Sequence, residues 1–82
     1  MSLTTTQANS VVYAAGNDWD QALARTVPAN QTMVNQVLDS VGDTFWLQRL
    51  TAAVVSPGSV TINDTAPTTD QWNYAAVEIL GL

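Results

Sequence analysis

The sequence predicts an all-β protein, an antiparallel β-sandwich or half-sandwich of about five strands. Short segments rich in Val, Ile, Thr and aromatic residues recur along the chain, as is typical of strands. Turn signals such as Gly16-Asn17 and Ser56-Pro57-Gly58 separate these segments at close spacing. Because strands joined by short turns pair antiparallel, the pattern favours a sheet without helical crossovers.

The expected strands follow one another from residue 11 onwards. They cover residues 11–15, 31–39, 44–50, 59–63 and 72–80, and residues 40–43 supply a hairpin turn. Between Asn17 and Asn30 the residues are compatible with a short helix, capped by Asp18 and stopped by Pro28, or with a loop. Residues 1–9 are expected to form a loose polar lead-in to one domain over residues 10–82.

Several of these strands carry apolar side chains on both faces. Trp72 and Tyr74 share one face of the last strand, while Val77 and Ile79 share the other. A single sheet in water would leave one of these faces wet, so the pattern indicates a second layer. Since the chain is short for building that layer alone, we expect another copy to supply it. The expected partner is therefore a homo-oligomer that pairs sheet edges or faces.

The residue composition excludes several functions. The 82 residues contain no Cys, His or Lys, which removes thiolate chemistry, the commonest general base and the Schiff-base amine. Charged residues make up 11%, against about 25% in an average domain, and the net charge is −5. Nucleic acid is not an expected partner, because binding requires several basic side chains on phosphates. No apolar run approaches the ~18 residues of a membrane span, so membrane insertion is not expected either.

The chain is not expected to be an enzyme. Its Ser residues have no His or Lys to act as a base. Glu78, the only Glu, lies in mid-strand rather than at a loop rim, which does not suit a pair of catalytic carboxylates. Arg25 and Arg49 are expected to neutralise neighbouring carboxylates or to pack their stems over apolar surface.

No cofactor is expected, and a calcium site is the alternative. Asp18 and Asp20 stand two positions apart, as at the start of many calcium-binding loops. The full loop pattern then fails, because Gly is missing at its sixth position and Glu at its twelfth. The other interpretation is that these residues cap or stabilise turns.

The aromatic residues also allow two interpretations. Exposed aromatics beside Asn and Asp form many sugar-binding surfaces, since a pyranose stacks on an indole while amides bind its hydroxyls. Trp19, or Trp72 with Asn73 and Tyr74, would suit a polysaccharide in this way. The alternative is packing in a core or interface, where aromatic side chains dominate the buried area.

Parts of the sequence resemble a known group of proteins. The segments that carry the resemblance are GNDWD at 16–20, VGDTFW at 41–46 and TINDTAPTTDQWNYAAVEI at 61–79. They resemble the C-terminal half of β-sandwich modules in large secreted bacterial surface proteins. The resemblance implies an extracellular or cell-surface location as part of a larger protein, and it carries over no catalytic residues. Because only the C-terminal half is matched, it again indicates completion by another copy.

These observations predict a non-catalytic structural or adhesive module that acts by packing and self-association. Low charge, two-sided apolar strands and the missing catalytic residue types all favour this function. One alternative is a carbohydrate-binding module that uses exposed Trp with Asn or Asp. Another is an excised or engineered fragment without native activity.

Overall fold

The computed structural model describes residues 1–81, and in that part of the chain it contains six β-strands and no helix. The strands are β1 (Ser2–Thr4), β2 (Val11–Asp18), β3 (Gln31–Leu38), β4 (Thr44–Leu50), β5 (Ser59–Thr61) and β6 (Trp72–Ile79). Every strand pairs antiparallel with its neighbours. The predicted all-β antiparallel fold is confirmed, with one more strand than the sequence indicated.

The strands form two sheets of unequal size. β1 and β5 form a two-stranded sheet, and the other four strands form a sheet in the order β3-β4-β2-β6. Leu3 and Val60 of the smaller sheet pack against Val12 and Ala14 on one face of the larger sheet, which we call the inner face. The opposite face of the larger sheet, the outer face, has no layer packed on it among residues 1–81.

The hydrophobic core lies between the two layers. It consists of the buried side chains of Val12, Ala14, Leu50 and Ile62, with Leu3, Val54, Val60, Tyr74 and Ala76 packed around them. Fully burying one aliphatic side chain stabilises the fold by about 1.5–3 kcal/mol relative to leaving it exposed. A core of this size leaves a chain of 82 residues with a thin margin of stability.

The N-terminal residues belong to the fold and are not a loose lead-in. β1 pairs with β5 in the register that sets Leu3 opposite Val60. Thr5 is buried, and its amide and hydroxyl both donate to the carbonyl oxygen of Gly58, at 2.8 and 3.1 Å. A strand of three residues has no periodic signal of its own, and it forms here because β5 lies beside it.

The ambiguous segment after Asn17 is loop rather than helix. β2 ends at Asp18, and the chain from residue 19 to residue 30 contains only bends, turns and one isolated bridge. That bridge joins Thr26 to Ala66 in the connection between β5 and β6, with an N–O distance of 2.9 Å. The loop is therefore fastened to the β5–β6 connection instead of folding on its own.

The predicted hairpin is confirmed, with residues 39–43 between β3 and β4. The backbone amide of Asp39 donates to the carbonyl of Asp43 at 2.9 Å. The Asp39 carboxylate accepts from the amides of Val41 and Asp43, at 3.0 and 2.9 Å. Gly42 has a φ of 97°, a left-handed conformation that side chains disfavour.

β2 runs straight through Gly16-Asn17, where the sequence predicted a turn. Gly16 lies opposite Trp46 on β4 and Tyr74 on β6. A Cβ at Gly16 would lie 2.3 Å from the Trp46 ring, so only glycine leaves room for the indole over this strand. The glycine serves close packing rather than chain reversal.

Candidate functional site

The outer face is an exposed apolar surface. It carries the residues that alternate with the inner-face residues along the four strands: Val11, Tyr13, Ala15, Asn17, Thr32, Asn35, Val37, Phe45, Leu47, Arg49, Asn73, Ala75, Val77 and Ile79. Val37, Phe45, Val77 and Ile79 are 52, 46, 54 and 49% exposed. Single exposed apolar side chains are ordinary, whereas several together on one face form an apolar patch.

A shallow hollow of about 340 Å³ lies on this face. Its lining includes Ala15, Asn35, Val37, Phe45 and Leu47. The hollow exists because Ala15 on β2 is small. Its neighbour Leu47 on β4 is large, and so are Val37 on β3 and Phe45 on β4, which lie opposite each other. The face therefore has large apolar side chains around a depression, and apolar side chains of another surface can fill that depression.

Almost no charge lies on the outer face. Arg49 is the only charged residue among those that define it. The seven carboxylates lie elsewhere: Asp18, Asp64, Asp70 and Glu78 on the inner side, Asp20 after β2, and Asp39 and Asp43 in the hairpin turn. The outer face can consequently be buried without removing a carboxylate from water.

The inner face differs between its two ends. Beyond the core, toward the Asp18 end of β2, it carries an aromatic cluster of Trp46, Trp72 and Tyr74. The ring centroids lie 6.0 Å apart for Trp46 with each partner and 5.2 Å apart for Trp72 with Tyr74. The guanidinium of Arg25 lies 4.3 Å from the Trp46 ring centroid and 5.2 Å from that of Trp72, within cation–π range.

Two carboxylates hold Arg25 in this cluster. Its Nη1 contacts Asp18 Oδ2 at 2.7 Å, and its Nε contacts Asp64 Oδ2 at 3.0 Å. All three side chains are at most 1% exposed. The expectation that Arg25 neutralises neighbouring carboxylates is confirmed. The pair with Asp64 joins the loop after β2 to the β5–β6 connection, and the pair with Asp18 joins the same loop to the end of β2.

A network of side-chain amides adjoins this cluster. Trp46 Nε1 donates to Gln48 Oε1 at 2.9 Å, and Gln48 Nε2 donates to Gln31 Oε1 at 2.7 Å and to the carbonyl of Asn63 at 3.1 Å. Gln31 Nε2 in turn donates to Asn63 Oδ1 at 2.9 Å. The buried amides therefore satisfy one another and fasten the start of the β5–β6 connection to β3 and β4.

The polar cluster is not fully satisfied. Among the buried side-chain atoms of residues 1–81, Arg25 Nη2, Asp64 Oδ1, Asp70 Oδ2 and the Tyr74 hydroxyl have no hydrogen-bond partner. Burial raises the pKa of Asp64 more than Arg25 lowers it. Burial raises the pKa of Asp70 as well, and the nearby Asp18 adds to that shift.

The pKa of Asp18 is lowered, whereas that of Tyr74 is raised. Burial would raise the pKa of Asp18, but hydrogen bonds from the amides of Asp20 and Gln21, together with Asp70 and Arg25, outweigh burial and lower it. Burial raises the pKa of the Tyr74 phenol. The cluster thus keeps Asp18 ionised beside Arg25 and disfavours a second negative charge at Asp70.

The residues predicted to bind a polysaccharide do not share one face of the sheet. Trp72 and Tyr74 lie on the inner face against Trp46, whereas Asn73 lies on the outer face. Trp19 follows the last residue of β2 and is 49% exposed. The packing interpretation therefore describes Trp72 and Tyr74, and Trp19 is the aromatic left for stacking on a sugar.

The residues predicted to bind calcium are engaged within the protein. Asp18 Oδ1 accepts the amides of Asp20 and Gln21, and Asp18 Oδ2 pairs with Arg25. Asp20 Oδ2 accepts the amide of Gln71 at 3.1 Å. Within residues 1–81 no group of three or more acidic side chains is arranged to hold a metal ion. Calcium at Asp18 would have to compete with Arg25.

Sequence reasoning missed the role of Glu78. Its carboxylate accepts hydrogen bonds from the amides of Thr6 and Gln7 and from the hydroxyls of Thr6 and Ser10. The only available signal was a Glu on the inner face of an otherwise aromatic and apolar strand. Its partners lie some seventy residues away in the chain, at separations of 68 to 72 positions, where no sequence pattern connects them.

Comparison with known proteins gives no family for this chain. No family description, curated protein or solved structure matches it. Residues 1–81 also contain no helix of the length and apolarity that crossing a membrane requires.

Proposed function

We propose that the chain is a non-catalytic structural module that acts by self-association through its outer face. The observation that carries this proposal is the apolar, nearly uncharged outer face of the four-stranded sheet. A second copy supplies the layer that the two-stranded sheet supplies on the inner side. Two such faces pack about 10 Å apart, as in other sandwiches.

The size of the outer face suits a weak association. Four strands about 4.8 Å apart and about 25 Å long give a patch of roughly 450–500 Å² on each copy. Two copies together bury about 1,000 Å², near the lower limit for a specific interface. The association is therefore expected to be reversible on dilution.

The proposed location is extracellular or on the cell surface, within a larger bacterial protein. The resemblance of residues 61–79 to the closing segment of bacterial surface modules supports it. A composition low in charge and rich in Thr, Asn and Val also supports it. In that setting a module without chemistry of its own spaces and joins copies of its parent protein.

The test is the solution mass of the chain, measured by light scattering after size exclusion across a dilution series. The proposal expects a mass above 8.8 kDa that falls toward this value on dilution. Val37→Asp places a charge on the outer face and should lower the mass measured at a given concentration. Val41→Asp is the matched control, because Val41 is 81% exposed but lies in the hairpin turn, and its mass should not change.

Circular dichroism of both variants establishes that they remain folded. A wild-type monomer at every concentration would overturn the proposal. Equal loss of association in Val37→Asp and Val41→Asp would show that net charge, rather than the outer face, controls assembly, and would overturn it as well.

A further inference from the structure

We infer that the free edge of β6 pairs antiparallel with β6 of a second copy, so that two four-stranded sheets become one continuous sheet. This inference rests on the proposed self-association and names a specific interface for it. It concerns the edge of the sheet, whereas the proposed function concerns its face.

The register of β6 shows which backbone groups are free. The amide of Trp19 donates to the carbonyl of Gln71 at 3.3 Å, in the same register that aligns β2 with β6. Hydrogen-bonded pairs alternate along an antiparallel ladder, so the odd-numbered residues of β6 bond to β2. The amides and carbonyls of the even-numbered residues then point away from β2. These residues are Trp72, Tyr74, Ala76 and Glu78.

No strand covers these outward groups in residues 1–81. Within the described residues 1–81, β6 is the last strand of its sheet and β2 is its only partner. β1 lies near β6 but pairs with β5. A row of unpaired donors and acceptors along eight residues is a template for another strand.

The two edges of the sheet are not equivalent. β3, at the other edge, has a bulge between Met33 and Asn35, which disturbs regular pairing with a further strand. β6 has an unbroken register and contains no Pro or Lys. Its only charge, Glu78, is turned to the inner side and bonded to Thr6 and Ser10. A bulge therefore disturbs the edge at β3, whereas the backbone of β6 is regular along its length.

One register satisfies every outward group of both copies. It pairs Tyr74 with Ala76 of the second copy and Trp72 with Glu78, so that the two-fold axis passes through Ala75. The small side chains of Ala75 then meet at the axis. The two Glu78 residues lie about 20 Å apart along the strands, beyond the screening length of about 8 Å. Both outer faces end on the same side, which doubles the apolar surface.

Amide hydrogen exchange followed by NMR, at one concentration below and one above self-association, tests the edge directly. At the higher concentration, the outward amides of β6 should exchange about tenfold or more slowly than at the lower one. These are the amides of Trp72, Tyr74, Ala76 and Glu78. The odd-numbered amides of β6 should be protected at both concentrations, because they bond to β2. In a sample mixing labelled and unlabelled chains, an inter-chain contact should appear between the Hα atoms of Asn73 and Val77.

A second measurement uses Ala76→Pro, which removes an outward N–H without removing a bond to β2. This variant should retain the protection of the odd-numbered amides and lose the inter-chain contact. If the mass rises with concentration but the even-numbered amides exchange equally fast at both concentrations, the edge inference is overturned and the face remains. If the mass never rises, self-association itself is overturned.

Discussion

Arg25 is the residue on which the polar end of the interior depends. It stacks on Trp46 and Trp72 while pairing with the buried carboxylates of Asp18 and Asp64. Removing the cation would leave two buried carboxylates without a counter-charge, which is far less favourable than the intact pairs. We expect Arg25→Ala to lower the free energy of unfolding by about 3–5 kcal/mol. Urea denaturation monitored by tryptophan fluorescence measures this loss.

Arg49 provides a matched control for that variant. It is the other arginine of the chain, and its Nη1 donates to the carbonyl of Thr51 at 3.1 Å in an exposed position. Arg49→Ala should lower the free energy of unfolding by about 1 kcal/mol or less, at a concentration where the chain is monomeric. Similar losses in the two variants would mean that the buried pairs of Arg25 stabilise the fold no more than one exposed hydrogen bond does.

At the scale of elements, β6 fastens the N-terminal segment through Glu78. Four hydrogen bonds of 2.7 to 3.2 Å reach its carboxylate from Thr6, Gln7 and Ser10. Burial alone would raise the pKa of Glu78, but these hydrogen bonds outweigh it and hold the pKa below the ordinary value of 4.5. The ionised carboxylate therefore stabilises the fold more than the protonated form does.

This contact makes stability depend on pH with a definite sign. Because the pKa of Glu78 is lower in the folded state, its stabilisation is present above the unfolded value and is lost as pH falls through the folded value. Glu78→Gln should lower the free energy of unfolding at neutral pH, and the difference from wild type should shrink below pH 4.5. Urea denaturation of both proteins at a series of pH values measures it. A difference that stays constant into acid would contradict the assignment.

The strands differ in how far the sequence predicts them. The hairpin of β3 and β4 was predicted because β-formers flank a compact turn, and such signals are local. β1 was missed because its pairing with β5 joins residues far apart in the chain. Gly16 was interpreted as a turn because its real role, making room for Trp46, appears only once β2 and β4 are adjacent.

The candidate site was predictable in part. Alternation along the last strand separated Val77 and Ile79 from Trp72 and Tyr74, and it showed that both faces are apolar. Which face stays in water depends on where β1 and β5 pack, and no local pattern contains that information. The sequence indicates that Arg25 neutralises carboxylates but not which ones, because Arg25 and Asp64 both lie in segments without periodic structure.

At the scale of the whole molecule, the larger sheet carries apolar side chains on both faces, and within residues 1–81 a second layer covers only one of them. The two-stranded sheet covers the inner face, while the outer face exposes Val37, Phe45, Val77 and Ile79. A monomer of this kind has a small core and a large solvent-exposed apolar surface. Association adds buried area without adding chain, so it should stabilise the folded state.

This linkage predicts a melting temperature that rises with protein concentration. If only the folded chain associates, a concentration about 100 times the dissociation constant adds about 2.7 kcal/mol to stability. For a domain of this size the melting temperature should then rise on the order of 10 °C, measured by circular dichroism over a hundredfold range of concentration. Val37→Asp should show a smaller rise over that range, because its outer face no longer associates, while Val41→Asp should follow wild type. A wild-type melting temperature that does not change with dilution would mean that the inner layer alone sustains the fold.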